Sequence, residues 1–264
     1  MKHLFTIILF FVGFQTASIE KVSAFQKGEW FKFEMSYSGF LKAGNATLSL
    51  KESSLEGKGV YHVVGKGWTT GPVKWLFKVK DRYESYFDKD TGVPYKFIRK
   101  IDEGGHTKDI EIDFNHTEKK AVVNNKKHKK VKTITTEKDV QDMVSMYYHL
   151  RNSIDIASLK QGDEIKTNMF FDEENYGFKL RYLGRETIEV DINGSNVEVK
   201  TLKFRPYVMA GRIFKEEESL TLWVSADKNK IPLKIKADLA VGSLRADLVE
   251  FKGLKHAFPI VFKN

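Results

Sequence analysis

Cysteine is absent from the 264 residues. That excludes a disulfide framework, a thiolate metal site, a cysteine nucleophile and the lipid-attachment cysteine of a bacterial lipoprotein. No H-E-x-x-H or H-x-x-E-H appears among the seven histidines, and no G-x-S-x-G frames a serine. The glycine-rich stretch Gly65–Pro72 lacks the spacing and the final Lys-Ser/Thr of a phosphate loop, and it reads as a loop or bulge. Beyond residues 1–24, no apolar segment approaches the ~18 residues of a membrane-crossing helix. The sequence therefore offers no catalytic motif, metal site or cofactor.

The first 24 residues do carry information. Lys2 and His3 precede an apolar run from Leu4 to Phe14, and Val22-Ser23-Ala24 suits signal-peptidase cleavage. This pattern predicts a signal peptide over 1–24, with Phe25 as first mature residue and a periplasmic or secreted destination. An uncleaved anchor fits the flanks less well. Removing Lys2, Glu20 and Lys21 leaves 42 basic and 34 acidic residues. The excess favours anionic partners such as lipid head groups or acidic glycans, and allows peripheral membrane contact. The densest run, Lys126–Lys132, follows Asn124-Asn125 and reads as a solvated hairpin tip. No stacking-aromatic motif accompanies it, which argues against nucleic acid.

Apolar and polar residues alternate with period two. Phe31, Phe33, Met35 and Tyr37 form one such set; Ile110, Ile112 and Phe114 another; Phe178, Leu180 and Tyr182 a third; and Leu233 to Val241 a fourth. Each segment then has one wet and one buried face, as in antiparallel sheet. Asn193-Gly194 predicts a tight hairpin. Asp90-Thr91-Gly92 and Asp227–Lys230 predict turns, and Pro94 and Pro232 open strands. Val140, Met143, Val144, Tyr147, Leu150 and Ile154 recur at helical spacing. They predict one amphipathic helix over 137–153, capped by Thr136 with Asp139 in the box position. A shorter helix or turn is expected near Pro72–Phe77. The expected fold is all-β with one main helix: a single domain over 25–264, built on a curved antiparallel half-barrel or open barrel with the helix on its concave face. A membrane-spanning barrel fits less well, because most strands alternate charged with apolar residues.

Gly28–Tyr37 and Lys42–Leu48 resemble the opening of an uncharacterised bacterial secreted family, domain of unknown function 3108. Glu84–Asp88, Asp142–Arg151, Leu222–Val224 and Ile231–Lys234 are similar too. The resemblance implies an exported antiparallel β protein with no established activity, so no catalytic residue carries over. Architecturally, the chain also resembles the periplasmic lipoprotein carriers, whose curved sheet shelters acyl chains.

Aromatic residues cluster in the first half. Trp68, Trp75 and Phe77 fall in an expected loop or short helix, with Tyr83 close behind; they suit the mouth of a site for an acyl chain or sugar. Arg82, Arg99 and Lys100 would hold an anionic head group at its rim. The expected function is non-enzymatic binding or carriage of an amphipathic envelope lipid or glycan. The alternatives are a structural or assembly protein meeting an envelope protein partner and, third, a hydrolase of envelope polymers using carboxylates such as Asp172–Glu174 or Glu216–Glu218.

Overall fold

The computed structural model describes residues 23–209, 220–259 and 261–262. The apolar run of the expected leader and the Glu216–Glu218 carboxylates lie outside these described residues.

Among the described residues, fifteen strands and two helices follow one another: β1 (Trp30–Tyr37), β2 (Leu41–Leu55), β3 (Lys58–Thr69), α1 (Val73–Leu76), β4 (Lys80–Asp88), β5 (Pro94–Glu103), β6 (His106–Asn115), β7 (Lys120–Asn125), β8 (Lys130–Thr135), α2 (Met143–Ser153), β9 (Glu164–Phe171), β10 (Glu174–Ile192), β11 (Ser195–Met209), β12 (Leu220–Ser225), β13 (Pro232–Asp238), β14 (Ser243–Lys252) and β15 (Val261–Phe262). The strands form one antiparallel sheet. Its order is β8-β7-β6-β5-β4-β3-β2-β1-β14-β13-β12-β11-β10-β9, with β15 on β11. Two meanders, β1–β8 and β9–β14, thus meet where β1 pairs with β14. The sheet curls without closing. Across the opening, Asp172 in the β9–β10 turn accepts from Arg99 on β5 and Lys108 on β6, both at 2.6 Å.

Turn chemistry sets the register. Asn193 and Gly194 take φ values of 55° and 78°, the left-handed pair of a two-residue hairpin, and join β10 to β11. Asp227 Oδ1 accepts from the Asn229 and Lys230 amides between β12 and β13. Pro94 and Pro232 open β5 and β13. The lysine run makes the β7–β8 turn and its flank. Gly44 lets two strands approach closely: a side chain there would meet the Trp68 carbonyl at 2.3 Å.

The inner faces bury three apolar groups. One gathers Leu50, Val63, Phe87, Phe97 and Ile112 around Val144 and Tyr148 of α2. The second sets Leu150 of α2 against Phe178, Leu180, Leu202 and Phe204. The third packs Phe31, Phe33, Leu233 and Leu248 on Val190, Val197 and Val199. So α2 lies within the curve, each flank on a different meander.

Several details depart from expectation. α2 begins at Met143, not at 137, and its cap is Asp142. The Asp142 carboxylate accepts from the Val144 and Ser145 amides at 2.7 and 2.8 Å, and Ser145 Oγ accepts from the Asp142 amide at 3.0 Å. Upstream, Asp139 sits at φ 51°, and the Gln141 amide donates to the Asn168 carbonyl beside β9. Helix formation there gives way to this tertiary pairing. Gly65, Gly67 and Trp68 are strand residues of β3 rather than a loop. The Leu233–Val241 alternation stops early, because the Leu239 amide donates to the Gly242 carbonyl and closes a turn.

Candidate functional site

A groove of about 670 Å³ opens beside α1, over the ends of β3, β4 and β5. Trp68, Lys66, Lys80, Arg82 and Lys100 line it. Strand alternation explains the grouping. Val63, Tyr83 and Phe97 point into the first apolar group, so Trp68, Arg82 and Lys100, offset by an odd number of residues, face outward. Cross-strand pairing then sets Lys66 opposite Arg82, Arg82 opposite Lys100 and Trp68 opposite Lys80. Lys74 and Lys78, flanking the end of α1, complete the rim. Arg82 donates to Glu84 at 2.6 Å, and Lys100 lies 3.9 Å from Asp109. Lys66, Lys74, Lys78 and Lys80 are exposed and pair with no carboxylate among the described residues. Four free ammonium groups around an aromatic wall form an anion-attracting rim.

Two acids line the groove, Asp81 and Asp102; alternation sets Asp102 on the outward side with Lys100, and Asp81 on the side of Tyr83. Burial, with the Glu103 carboxylate beside it, pushes the Asp81 carboxyl up to about 6. Asp81 Oδ1 also accepts from the Asp102 amide at 3.3 Å.

The seven residues expected at a binding mouth divide into three sets. Trp68, Arg82 and Lys100 line the groove. Trp75 and Phe77 belong to α1 and its cap; Trp75 is 91% exposed and Phe77 lies against Gly104. Tyr83 and Arg99 turn to the inner face: Tyr83 packs on the first apolar group, and Arg99 stacks over Phe171 at 4.6 Å while pairing with Asp172. Sequence reasoning missed Lys66, Lys78, Lys80 and Asp81. Alternation sets Lys66 and Lys80 on the side of Trp68, but strand pairing was needed to assemble the groove.

Elsewhere, Ser85 Oγ donates to Asp142 at 2.5 Å, deep in the core. Burial pushes Asp142 up to about 6. The contact anchors α2 to β4, and no histidine touches Ser85 among its described hydrogen bonds. His62 Nε2 donates to the Glu84 carboxylate at 2.7 Å and the ring stacks on Tyr86; burial lowers its pKa. Among the described residues no cluster of three or more His, Asp or Glu could hold a metal. None of their helices is long and apolar enough to cross a membrane.

Fold and groove together define an open, barrel-like antiparallel β protein with a basic, aromatic-walled groove at one rim. The barrel-like comparison is direct: the crystal structure of a β-barrel-like protein of domain of unknown function DUF1849 from Brucella abortus is similar, with a TM-score of 0.55 at 10% identity over 88% of this chain and 100% of that one. A Bacteroides fragilis protein of YmcC-like fold aligns with a TM-score of 0.31 at 7% identity over 86% and 97%. Residues 32–249 match the family described as Protein of unknown function (DUF3108), and the chain belongs to that family. No curated protein matches it.

Proposed function

We propose that this is a non-enzymatic binding or carrier protein for an anionic, amphipathic component of the bacterial cell envelope, a lipid or glycan, acting in the periplasm once residues 1–24 are removed. The observation that carries this reading is the groove: an aromatic wall at Trp68 beneath a rim of unpaired lysines. An apolar chain or sugar face packs on the indole, and the head group meets Lys66, Arg82 and Lys100. Among the described residues α2 and aromatic side chains pack the interior, which favours the surface groove as the ligand's place. The test is native mass spectrometry of the mature protein purified gently from its own host. A stoichiometric lipid or glycan adduct, lost on Trp68→Ala, supports the reading; a clean apo mass overturns it.

One observation favours a hydrolase as a second reading: Asp81, among the residues lining the groove, holds its proton to about pH 6, as a general acid would. Cleavage of an envelope glycan that Asp81→Asn abolishes would establish it. The assembly reading has less support. The open edge strand β8 carries Lys130 and Lys132, which deter added strands.

A further inference from the structure

Among the described residues, the turns at one end of the sheet carry most of the exposed large apolar side chains. Three hairpins stand side by side there, because the sheet order runs β4-β3-β2-β1-β14-β13. They are the β3–β4 connection holding α1, the β1–β2 turn and the β13–β14 turn. Backbone bonds tie them together: the Thr70 amide donates to the Ala43 carbonyl at 3.0 Å, and the Ser38 amide to the Ser243 carbonyl at 2.6 Å. At ~4.8 Å per strand, the row is about 24 Å long. Among the described residues, eight of the ten exposed large apolar ones lie on it, and Trp75 (91%), Leu76 (88%), Phe40 (79%) and Val241 (77%) protrude furthest.

Burial in the fold does not account for these residues. α1 has no buried side chain at all, and an exposed apolar row of this kind marks a contact surface. The charges beside it identify the partner. Lys74 and Lys78 flank Trp75-Leu76, with Lys66 and Lys80 behind, and all four are unpaired among the described residues. Of the carboxylates on these strands, Glu34 pairs with Lys42 and Asp238 with Lys236, while Asp81 and Asp102 line the groove beside the four lysines. Apolar tips that protrude from separate turns enter a soft interface more readily than they pack on a rigid protein, and tryptophan flanked by lysine suits the head-group layer. We infer that this rim docks on an anionic phospholipid surface, Trp75 and Leu76 entering the head-group boundary while the lysines meet lipid phosphates. The docking also brings the groove mouth, beside α1, to the lipid. It stands on the apolar row and does not require that the groove be occupied.

The test is flotation of the mature protein with vesicles of equal parts phosphatidylglycerol and phosphatidylcholine, against vesicles of phosphatidylcholine alone. Binding is expected only to the anionic vesicles, weakened at high salt. The variant Trp75→Ser/Leu76→Ser should lose at least tenfold in binding, while Val131→Ser, which removes an exposed apolar residue on β8, should not. Circular dichroism checks that both variants stay folded. Arg82→Gln/Lys100→Gln separates the two readings: it impairs the groove and should leave flotation intact. No flotation at any phosphatidylglycerol content, or flotation unaffected by the Trp75/Leu76 variant, overturns the inference. So does a concentration-dependent dimer abolished by that variant, which would give the rim to a second copy of the chain.

Discussion

Arg151 and Glu29, 122 positions apart, form a bidentate ion pair in the core, at 2.6 and 2.7 Å. The same guanidinium donates to the Asn229 carbonyl at 2.9 Å and lies over the rings of Phe25, Phe31, Tyr147 and Tyr148. One side chain of α2 thus fastens the segment leading into β1 and the turn before β13. Removing either charge strands the other in a dry site. Glu29→Gln should cost about 3–5 kcal/mol of stability, read as a lower urea midpoint, and Arg151→Met a similar amount. The double variant should recover part of the loss; a sum of the two single losses would show that the pair is not coupled.

Asp142 makes stability depend on pH. Its carboxyl is raised from 3.8 to about 6 by burial. The folded protein therefore holds this proton more tightly than the unfolded chain does. The resulting stability is fully present below about pH 4 and is lost as pH rises through about 6, an effect of about 3 kcal/mol. Asparagine retains an oxygen for the cap and cannot ionise. In Asp142→Asn, the decline between pH 4 and 6 seen in denaturation midpoints should flatten. An unchanged profile would assign the titration to another group.

The groove predicts its own salt and charge dependence. Calorimetric titration with dodecyl phosphate, an anionic amphipath, should show binding that weakens with salt. Arg82→Gln/Lys100→Gln should reduce affinity about tenfold, or ~1.4 kcal/mol. Equal affinity for neutral dodecyl maltoside would contradict a charge-based rim.

Gly44→Val should be destabilising, because its side chain would enter the space of the Trp68 carbonyl on the paired strand. A loss of about 2 kcal/mol or more is expected, with a shift in Trp68 emission measured in a variant lacking the other tryptophans. A neutral outcome would mean that β2 and β3 part at little cost.

Much of the fold was legible because alternation reports directly which side of a strand is wet. Phe31, Ile112 and Leu180 were placed inward by pattern alone, and all are buried. The Asn193-Gly194 hairpin was equally plain, since few dipeptides accept two positive φ values. The start of α2 was not, because helical spacing continues through Val140 while Gln141 is held by β9, a partner remote in sequence. The site was half legible for the same reason. Aromatic clustering pointed to Trp68 and Trp75, but only pairing of β3, β4 and β5 shows that Arg82 joins Trp68 while Arg99 faces the opposite side.

The pairing of β1 with β14 also sets an order of events for folding. Each meander can zip up from neighbouring hairpins, at the modest entropic cost of short loops. The central seam cannot form until β14, Ser243–Lys252, has been delivered. Until then β1 presents a bare edge, with Phe31 and Phe33 uncovered. A chain arriving from its N-terminus would hold the first meander with this edge open from the completion of β8 at Thr135 until β14 at Ser243–Lys252 is delivered.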